Sequence, residues 1–360
     1  MIRIILLNIT LVLLLNSNIS SQIESDLFLE GATIIDMKID GNYLWVATYG
    51  QGIYRFSFSE EKWFNYSTAN NNLDNDLFFT LEVSPNFVWA GTTEGLFTLD
   101  RKTNRWTKRK FALGGEFGNW IRALKYDNKR DLLWIGRFRN ITHFDIKRRR
   151  YIDIDRMQGN DQKSNNIKSI SIDGDSLIWF GSESGAHSFD MSKKINDRAA
   201  WSYINNKDRN FLGEGESVSV SSFLFEGRNI WFGTDEFVTR ENPTFNIGGI
   251  YLFNRKFSWE RISRVDGLGG NGIYSMARTG NYIWTGVYEF DRRDKKEFGK
   301  GLYLINRLTN EVSPVNLDEI KINSSKILTL LFESDYLWIG TDRGLVRLKI
   351  SNQLAKWGVK

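Results

Sequence analysis

The feature that most constrains the fold of this chain is a short pattern that occurs seven times along it. Residues 44–56 read LWVATYGQGIYRF, two apolar, β-rich stretches around a glycine-containing turn. Such a stretch is typical of a β-hairpin. Each copy carries a tryptophan at the same place: Trp45, Trp89, Trp134, Trp179, Trp231, Trp284 and Trp338.

These tryptophans lie 44, 45, 45, 52, 53 and 54 residues apart. A period of about 40–50 residues with several short strands per unit is typical of a propeller blade. Strands of the first unit are predicted at TIIDMKI (33–39), YLWVAT (43–48), GIYRFSF (52–58) and KWFNYS (62–67). A four-stranded blade buries both of its apolar faces only against neighbours on each side, which favours a closed ring. We therefore predict an all-β fold, a seven-bladed β-propeller of four-stranded antiparallel blades.

Aligning the units on the tryptophan gives two contrasting columns in the first strand. The first column holds small or short residues: Asp36, Thr80, Ala123, Ser169, Ser222, Ser275 and Thr329. The next column holds large apolar residues: Met37, Leu81, Leu124, Ile170, Phe223, Met276 and Leu330. Small residues suit the innermost strand, where the blades converge. Two modes of ring closure remain open, because either SDLFLE (25–30) or the segment around Trp357 could complete the last blade, and both apply if that blade has a fifth strand.

The first residues, MIRIILLNITLVLLLNSNISSQ, have one early positive charge, a short apolar stretch and a polar region, the layout of a secretory signal peptide. We expect a signal peptide at residues 1–21 and a single propeller domain at residues 22–360, located in the periplasm or secreted. A retained N-terminal anchor is the alternative. The chain has no cysteine, so the domain must be stable without disulfides.

The repeat resembles a known family at three places in particular, WAGTTEGL (89–96), WFGSESGA (179–186) and WIGTDRGL (338–345). These segments are similar to the two-component regulator propeller repeat, a bacterial repeat. The resemblance implies a periplasmic sensor-type propeller, since such domains often form the sensor half of hybrid histidine kinases and some recognise polysaccharide fragments. No kinase or dimerisation module follows in this sequence, so we expect any signal to pass to a separate partner.

Long insertions point to one sector of the ring as a binding region. Residues 235–248 and 287–300 lengthen the turn between the second and third strands of blades five and six, and long loops on a rigid scaffold often bind ligands. The alternative is that these insertions are surface elaborations with no role in binding. The candidate ligand-binding residues in these insertions are Phe237, Arg240, Tyr288 and Arg292.

Blade three supplies a second group of candidates. Arg137 replaces the threonine that usually follows Trp-x-Gly, and Phe138 and Arg139 come next. The loop GGEFGNWIR before the blade brings Asn119 and Trp120 to the same face. An aromatic ring beside arginine and asparagine suits stacking on a sugar and hydrogen bonds to its hydroxyls. Packing of this loop onto the blade is the alternative.

Catalytic and nucleic-acid signals are weak. The basic runs at 101–110 and 147–150 fall on outer strands, where charge discourages edge-to-edge pairing, so we predict no nucleic-acid partner. The two histidines, His143 and His187, lie in third strands without metal-ligand spacing. We therefore predict no catalytic residues, no metal and no cofactor.

The leading hypothesis is a non-catalytic exported recognition or sensor-type propeller, monomeric, that binds carbohydrate or another extracellular ligand on its loop-rich face. One alternative is a protein-interaction scaffold in the cell envelope. The other is a hydrolase or lyase that acts on polysaccharide, which would need acid and base groups at the mouth of the channel; of the small column, only Asp36 supplies one.

Overall fold

The computed structural model describes residues 23–70, 72–112, 115–215, 217–236 and 247–350. Seven antiparallel sheets of four strands each form a ring, which confirms the predicted seven-bladed propeller. No helix among the described residues has the length and apolar character needed to cross a membrane. The expected signal peptide at residues 1–21 lies outside these ranges and stays a prediction.

Each blade runs from strand a, next to the central channel, to strand d at the rim. Consecutive strands a contact one another around the ring. In the order a to d, blades one to four are Ile34–Asp40, Tyr43–Thr48, Ile53–Ser57, Lys62–Tyr66; Thr80–Val83, Phe87–Gly91, Leu96–Asp100, Arg105–Arg109; Ile121–Asp127, Leu132–Arg137, Ile141–Asp145, Arg150–Ile154; and Ile167–Asp173, Leu177–Ser182, Ala186–Asp190, Trp201–Ile204. Blades five and six are Val220–Phe225, Ile230–Thr234, Ile250–Phe253, Trp259–Ile262; and Gly272–Thr279, Tyr282–Asp291, Lys296–Asn306, Val312–Pro314.

Blade seven combines the two ends of the described chain. Its strands a to c are Ile327–Glu333, Tyr336–Thr341 and Gly344–Lys349, and its strand d is the N-terminal strand Ser25–Phe28. The N-terminal strand pairs antiparallel with strand c, Ser25 opposite Leu348 and Phe28 opposite Leu345. The ring is therefore closed by the first of the two predicted modes; Trp357, which the second mode needed, lies outside the described residues.

Short 3-10 turns occur in the connections between strands. They are Glu116–Asn119, Gln162–Asn165, Arg198–Ala200, Lys207–Gly213, Arg264–Asp266 and Asp318–Ile320. The b–c turns and the d–a connections reach the same side of the ring, which we call the loop face, whereas the a–b and c–d turns reach the other side.

The core lies between the blades, and the repeated tryptophans occupy it. All seven are at most 7% exposed. Each packs against apolar residues of its own or a neighbouring blade, as Trp134 does with Phe180 and Phe189 of blade four. A tryptophan is the largest apolar side chain that a strand can place in such a layer, which explains why this position anchors the repeat.

The glycine two residues after the tryptophan receives a side chain from the next blade. A Cβ at this glycine would lie closer than 3.0 Å to a neighbouring atom in all six blades that have it, and in each of them one such atom belongs to a residue at the start of the next strand a. These pairs of glycine and next-blade residue are Gly91 and Ile121, Gly136 and Ile167, Gly181 and Val220, Gly233 and Ile273, Gly286 and Ile327, and Gly340 and Ile34. The Trp-x-Gly motif is thus the place where adjacent blades interlock.

The residue three positions after each repeated tryptophan fixes the b–c turn. In five blades its hydroxyl donates a hydrogen bond of 2.7–3.0 Å to the carbonyl oxygen of a glycine across the turn. The hydroxyl residues are Thr48, Thr92, Ser182, Thr234 and Thr341. Blades three and six have Arg137 and Val287 instead.

Candidate functional site

A β-bulge at the start of strand a builds the mouth of the central channel on the loop face. In six blades the pairing of strands a and b skips one residue of strand a just before the small column. A bulged residue is unpaired and turns its side chain out of the regular alternation. With the equivalent residue of blade two, this bulge column is Ile35, Phe79, Arg122, Lys168, Ser221, Tyr274 and Leu328. All seven are half-buried.

The mouth has a charged side formed by blades three to six. Arg122 of the bulge column donates to Glu183 in the b–c turn of blade four at 2.6 Å, and Glu183 also accepts from Asn166 at 2.9 Å. Lys168 makes the corresponding ion pair with Asp235 of blade five. Each cation thus bridges to the next blade.

Asp235 lies at the centre of the larger network. Its carboxylate also accepts from the Ser219 hydroxyl at 2.5 Å and from the Tyr288 hydroxyl at 3.0 Å. Burial raises the pKa of Asp235, but the Lys168 ammonium and the hydroxyl donors outweigh burial and hold that pKa below its ordinary value. The carboxylate is therefore ionised at neutral pH and serves as a structural anchor.

The opposite side of the mouth is aromatic and spans blades one to three. Ring centroids are 5.8 Å apart between Tyr49 and Phe79, 5.8 Å between Phe79 and Trp120, and 5.1 Å between Trp120 and Phe138. Phe138 in turn lies 5.3 Å from Phe117. We call these five residues the aromatic row. Its two ends are exposed, Tyr49 at 50% and Phe117 at 48%.

Arginines flank the blade-three end of the aromatic row. The Arg122 guanidinium lies 5.4 Å from the Trp120 ring centroid and 5.5 Å from that of Phe138. Arg139 lies 6.0 Å from Phe117. These distances fall within the range of cation–π contacts, so the row carries positive charge along an apolar surface.

A cavity of about 500 Å³ opens beside the aromatic row. Its lining combines aromatic, charged and amide side chains: Thr93, Glu94, Lys110, Phe117, Asn119 and Trp120. Glu94 is ion-paired with Lys108 at 2.6 Å, which holds its pKa below the ordinary value. The cavity therefore offers two aromatic walls and ionised polar groups.

The predicted blade-three residues divide into two groups. Trp120, Phe138 and Arg139 lie on or beside the aromatic row, and Asn119 lines the cavity while accepting a hydrogen bond of 2.6 Å from the Phe111 amide. Arg137 is fully buried, and its guanidinium donates to the Gly118 carbonyl oxygen at 2.8 Å and to Asp153 at 2.7 Å. Arg137 therefore holds the loop that contains Gly118 onto the blade. We expected a direct contact with a ligand, and its burial rules out that role.

The blade-six insertion is a β-hairpin that lengthens strands b and c as far as Asp291 and Lys296. Tyr288 within it is 4% exposed and packs against Tyr274, with the two ring centroids 4.4 Å apart. Tyr288 therefore belongs to the wall of the mouth. Arg292 is exposed at the tip of the hairpin. In the blade-five insertion, Phe237 and Arg240 lie outside the described residues, and their role stays a prediction.

The two insertions meet, as their neighbouring positions in the ring predicted. Glu236, at the start of the blade-five insertion, accepts hydrogen bonds from the backbone amides of Asn271 and Phe290 in blade six. Burial raises the pKa of Glu236 despite these donors.

Sequence reasoning missed the bulge column. The column directly precedes the small residues that we aligned, and its variability, from Ile35 to Arg122 to Tyr274, was the available signal. Columns that face the core keep one character in all repeats, whereas a column that faces a ligand or solvent is free to vary.

The sequence matches no protein-family model, and no curated protein shows significant similarity to it. Several solved structures are similar. One is the extracellular domain of BT4673 of B. thetaiotaomicron, described as a one-component or hybrid two-component system, with a TM-score of 0.67 and 17% identity over 93% of this chain. This chain covers 40% of that chain.

Two further similar structures come from other contexts. YCF48 bound to a peptide has a TM-score of 0.63 and 14% identity over 91% of this chain and 97% of its own. PorZ of Porphyromonas gingivalis, a surface component of the type-IX secretion system, has a TM-score of 0.60 and 15% identity over 89% of this chain and 47% of its own. At these identities the comparisons establish the fold, and the predicted likeness to sensor-type propellers is confirmed at that level.

Proposed function

We propose that this chain is a non-catalytic, exported recognition propeller that binds an oligosaccharide on its loop face, over blades two and three. The observation that carries the proposal is the aromatic row beside a cavity of about 500 Å³. A cavity of this volume lies within the range of about 300–1,000 Å³ that is common for ligand sites.

The chemistry of the cavity suits a sugar. The rings of Phe117 and Trp120 offer flat apolar surfaces for the CH faces of a pyranose, and Thr93, Glu94 and Lys110 offer hydrogen-bonding partners for hydroxyl groups. Trp120 is held in place by its stacking on Phe138, with an angle of 2° between the rings. A preorganised platform of this kind loses little side-chain entropy on binding.

Likeness to extracellular sensor domains supports the export and sensing parts of the proposal, together with the signal-peptide layout at residues 1–21.

The charged side of the mouth supports the non-catalytic part of the proposal. Its carboxylates Glu183 and Asp235 are held in ion pairs with Arg122 and Lys168, an arrangement that suits a structural role.

The test is a glycan-array and thermal-shift screen with neutral and acidic oligosaccharides. Phe117→Ala and Trp120→Ala should each weaken binding of a hit by about tenfold or more, because each removes a stacking surface. Phe257→Ala is the matched control, since Phe257 is 83% exposed on a c–d turn on the other side of the ring. Equal binding by all three variants, or no hit in either screen, would reject the oligosaccharide proposal.

A protein-interaction scaffold is the second candidate. Tyr49, Leu77 and Phe117 are large apolar residues exposed on the loop face, and such patches are used in protein interfaces. PorZ, a secretion-system surface component, and peptide-bound YCF48 show that similar folds occur in such contexts. If the glycan screens are negative, a pull-down that loses one defined partner on Tyr49→Ser and Leu77→Ser, but not on Phe257→Ser, would favour this candidate.

A further inference from the structure

A second cavity, of about 530 Å³, lies away from the aromatic row, where the loop between blades three and four meets the outer strand of blade four. The loop contributes Asp155, Arg156, Met157 and Gln158; blade four contributes His187, Arg198, Trp201, Ser202 and Tyr203. The cavity is therefore a feature of the rim and does not belong to the mouth of the channel.

Two arginines line this cavity. Within the described part of the chain, neither Arg156 nor Arg198 forms an ion pair, and the Arg156 Nε donates instead to the Asp155 backbone carbonyl at 2.9 Å. Burial lowers the pKa of Arg156, and repulsion from Arg198 lowers it further, against the opposing effect of Asp155. Two like charges thus lie close enough at this cavity to repel each other.

The one carboxylate that lines the cavity is engaged by other donors. Asp155 accepts from the Met157 amide at 2.9 Å and from the Asn165 side chain at 3.0 Å. His187 adds no negative charge, since burial lowers its pKa to about 4 and leaves the imidazole neutral at pH 7. Two arginines against one carboxylate leave the lining of the cavity with net positive charge.

The walls of the cavity are rigid. Trp201 stacks on Phe189 at 4.6 Å and donates from its indole nitrogen to the Ile195 carbonyl oxygen at 2.9 Å. Arg156 lies 4.7 Å from the Trp201 ring centroid, which holds its guanidinium at the edge of the cavity. The hydroxyl of Tyr203 donates to the Ser184 carbonyl oxygen at 2.5 Å and fixes the other aromatic wall.

We propose that this rim cavity binds a small organic anion through Arg156 and Arg198, with a carboxylate, sulfate or phosphate group between the two guanidinium groups. Arginine is the side chain best suited to such groups because its planar fork matches their oxygen atoms. A cavity of about 530 Å³ has room for a ring or short chain attached to the anionic group. This site is independent of the oligosaccharide site proposed above.

The experiment is titration calorimetry on the purified protein with glucuronate, glycerol 3-phosphate and sulfate as probes, and glucose as the uncharged comparison. We expect at least one anion to bind, and its affinity to fall as ionic strength rises. Preference for glucuronate or for glycerol 3-phosphate would distinguish a carboxylate ligand from a phosphate ligand. Absence of binding by every anion at low ionic strength would overturn the proposal.

Substitution of the two arginines tests whether the anion binds in the rim cavity. Arg198→Gln should weaken anion binding by about tenfold, and the double variant Arg156→Gln/Arg198→Gln by about a hundredfold. Arg105→Gln/Arg150→Gln is the matched control, because it removes two exposed arginines from outer strands of blades two and three and changes the net charge equally. Equal loss in the two double variants would indicate a nonspecific charge effect and reject the site. Arg198 is exposed, so its single variant tests the proposal even if the double variant is unstable.

Discussion

Arg137 shows how one residue can change the role of a position in a repeat. In five blades the equivalent hydroxyl closes the b–c turn, whereas the Arg137 guanidinium reaches past the turn to Gly118 and Asp153. Its burial is tolerated because the guanidinium is hydrogen-bonded and paired with a carboxylate. Arg137 thereby ties the loop that carries Phe117 and Trp120 to strand d of blade three.

His187 is the residue from which we predict a pH effect on stability. Its imidazole is 1% exposed and its Nε2 lies 2.8 Å from the Ser164 carbonyl oxygen. Burial lowers the pKa of His187 from 6.5 to about 4, with a small opposing effect of that hydrogen bond and a further lowering by Arg156. The unfolded chain therefore takes up this proton at a higher pH than the folded chain does.

The stability that neutral His187 contributes is present in full above about pH 6.5 and is lost as the pH falls towards 4. Between about pH 7 and pH 4.5, the free energy of unfolding of the wild-type protein should fall by about 2 kcal/mol more than that of His187→Phe. Urea denaturation at several pH values measures this difference. Parallel pH profiles for the two proteins would show that His187 does not titrate in this way.

At the residue scale, sequence reasoning identified packing positions better than binding positions. The packing role of the tryptophan, glycine and apolar columns could be predicted because every repeat imposes the same steric demand on them. Arg137 and Tyr288 were read as surface residues because the sequence does not reveal which way a side chain turns at the end of a strand. The bulge that turns Arg122 and Lys168 toward the mouth of the channel shifts the alternation by one residue, and only the variability of that column marked it in the sequence.

At the scale of elements, the contact between blades depends on the glycine of Trp-x-Gly. A Cβ at Gly286 would overlap the Ile327 backbone carbonyl oxygen, which cannot turn away as a side chain could. Gly286→Ala should therefore lower the free energy of unfolding by about 1–3 kcal/mol, the usual cost of overpacking. Urea denaturation followed by circular dichroism measures it.

Gly227→Ala is the control for this prediction. Gly227 lies in the a–b connection of blade five, and a Cβ there would meet nothing within 4 Å. Because its backbone conformation is one that alanine adopts readily, the change should alter stability by less than about 1 kcal/mol. Similar losses in the two variants would contradict the interlocking role of Gly286.

The strands themselves were well predicted, because short β-rich segments alternate with turn residues at a fixed period. In blade one the predicted segments 33–39, 43–48, 52–58 and 62–67 match the observed strands to within one residue at nearly every end. The blade-six insertion was expected as a loop and is a hairpin. Its charged residues gave no apolar alternation, and pairing of strand b with strand c simply continues outward.

At the scale of the whole molecule, the ring depends on the N-terminal strand. Phe28 packs between blades seven and one, with ring centroids 5.9 Å from Phe56, 5.9 Å from Trp63 and 6.0 Å from Trp338. Phe28→Ala should lower the free energy of unfolding by about 2–3 kcal/mol, somewhat less than for a fully buried phenylalanine. A chemical denaturation curve with a single transition at lower denaturant is the expected result.

Leu27→Ala is the matched control in the same strand. Leu27 is 38% exposed and faces away from the aromatic cluster, so its truncation should cost clearly less. Equally small losses for Leu27→Ala and Phe28→Ala would show that the strand is held mainly by its backbone pairing and not by this contact between blades.

The ring closure also dictates an order of events during biogenesis. The strand Ser25–Phe28 is synthesised before every other described strand of the ring, yet its partner, Gly344–Lys349, is synthesised after all of them. Until the partner emerges, the partly made propeller has two unpaired edges, which invite pairing with other chains. The ring therefore closes only once Gly344–Lys349 has been made, and a nascent chain that pauses just before that point leaves its unpaired edges open to aggregation.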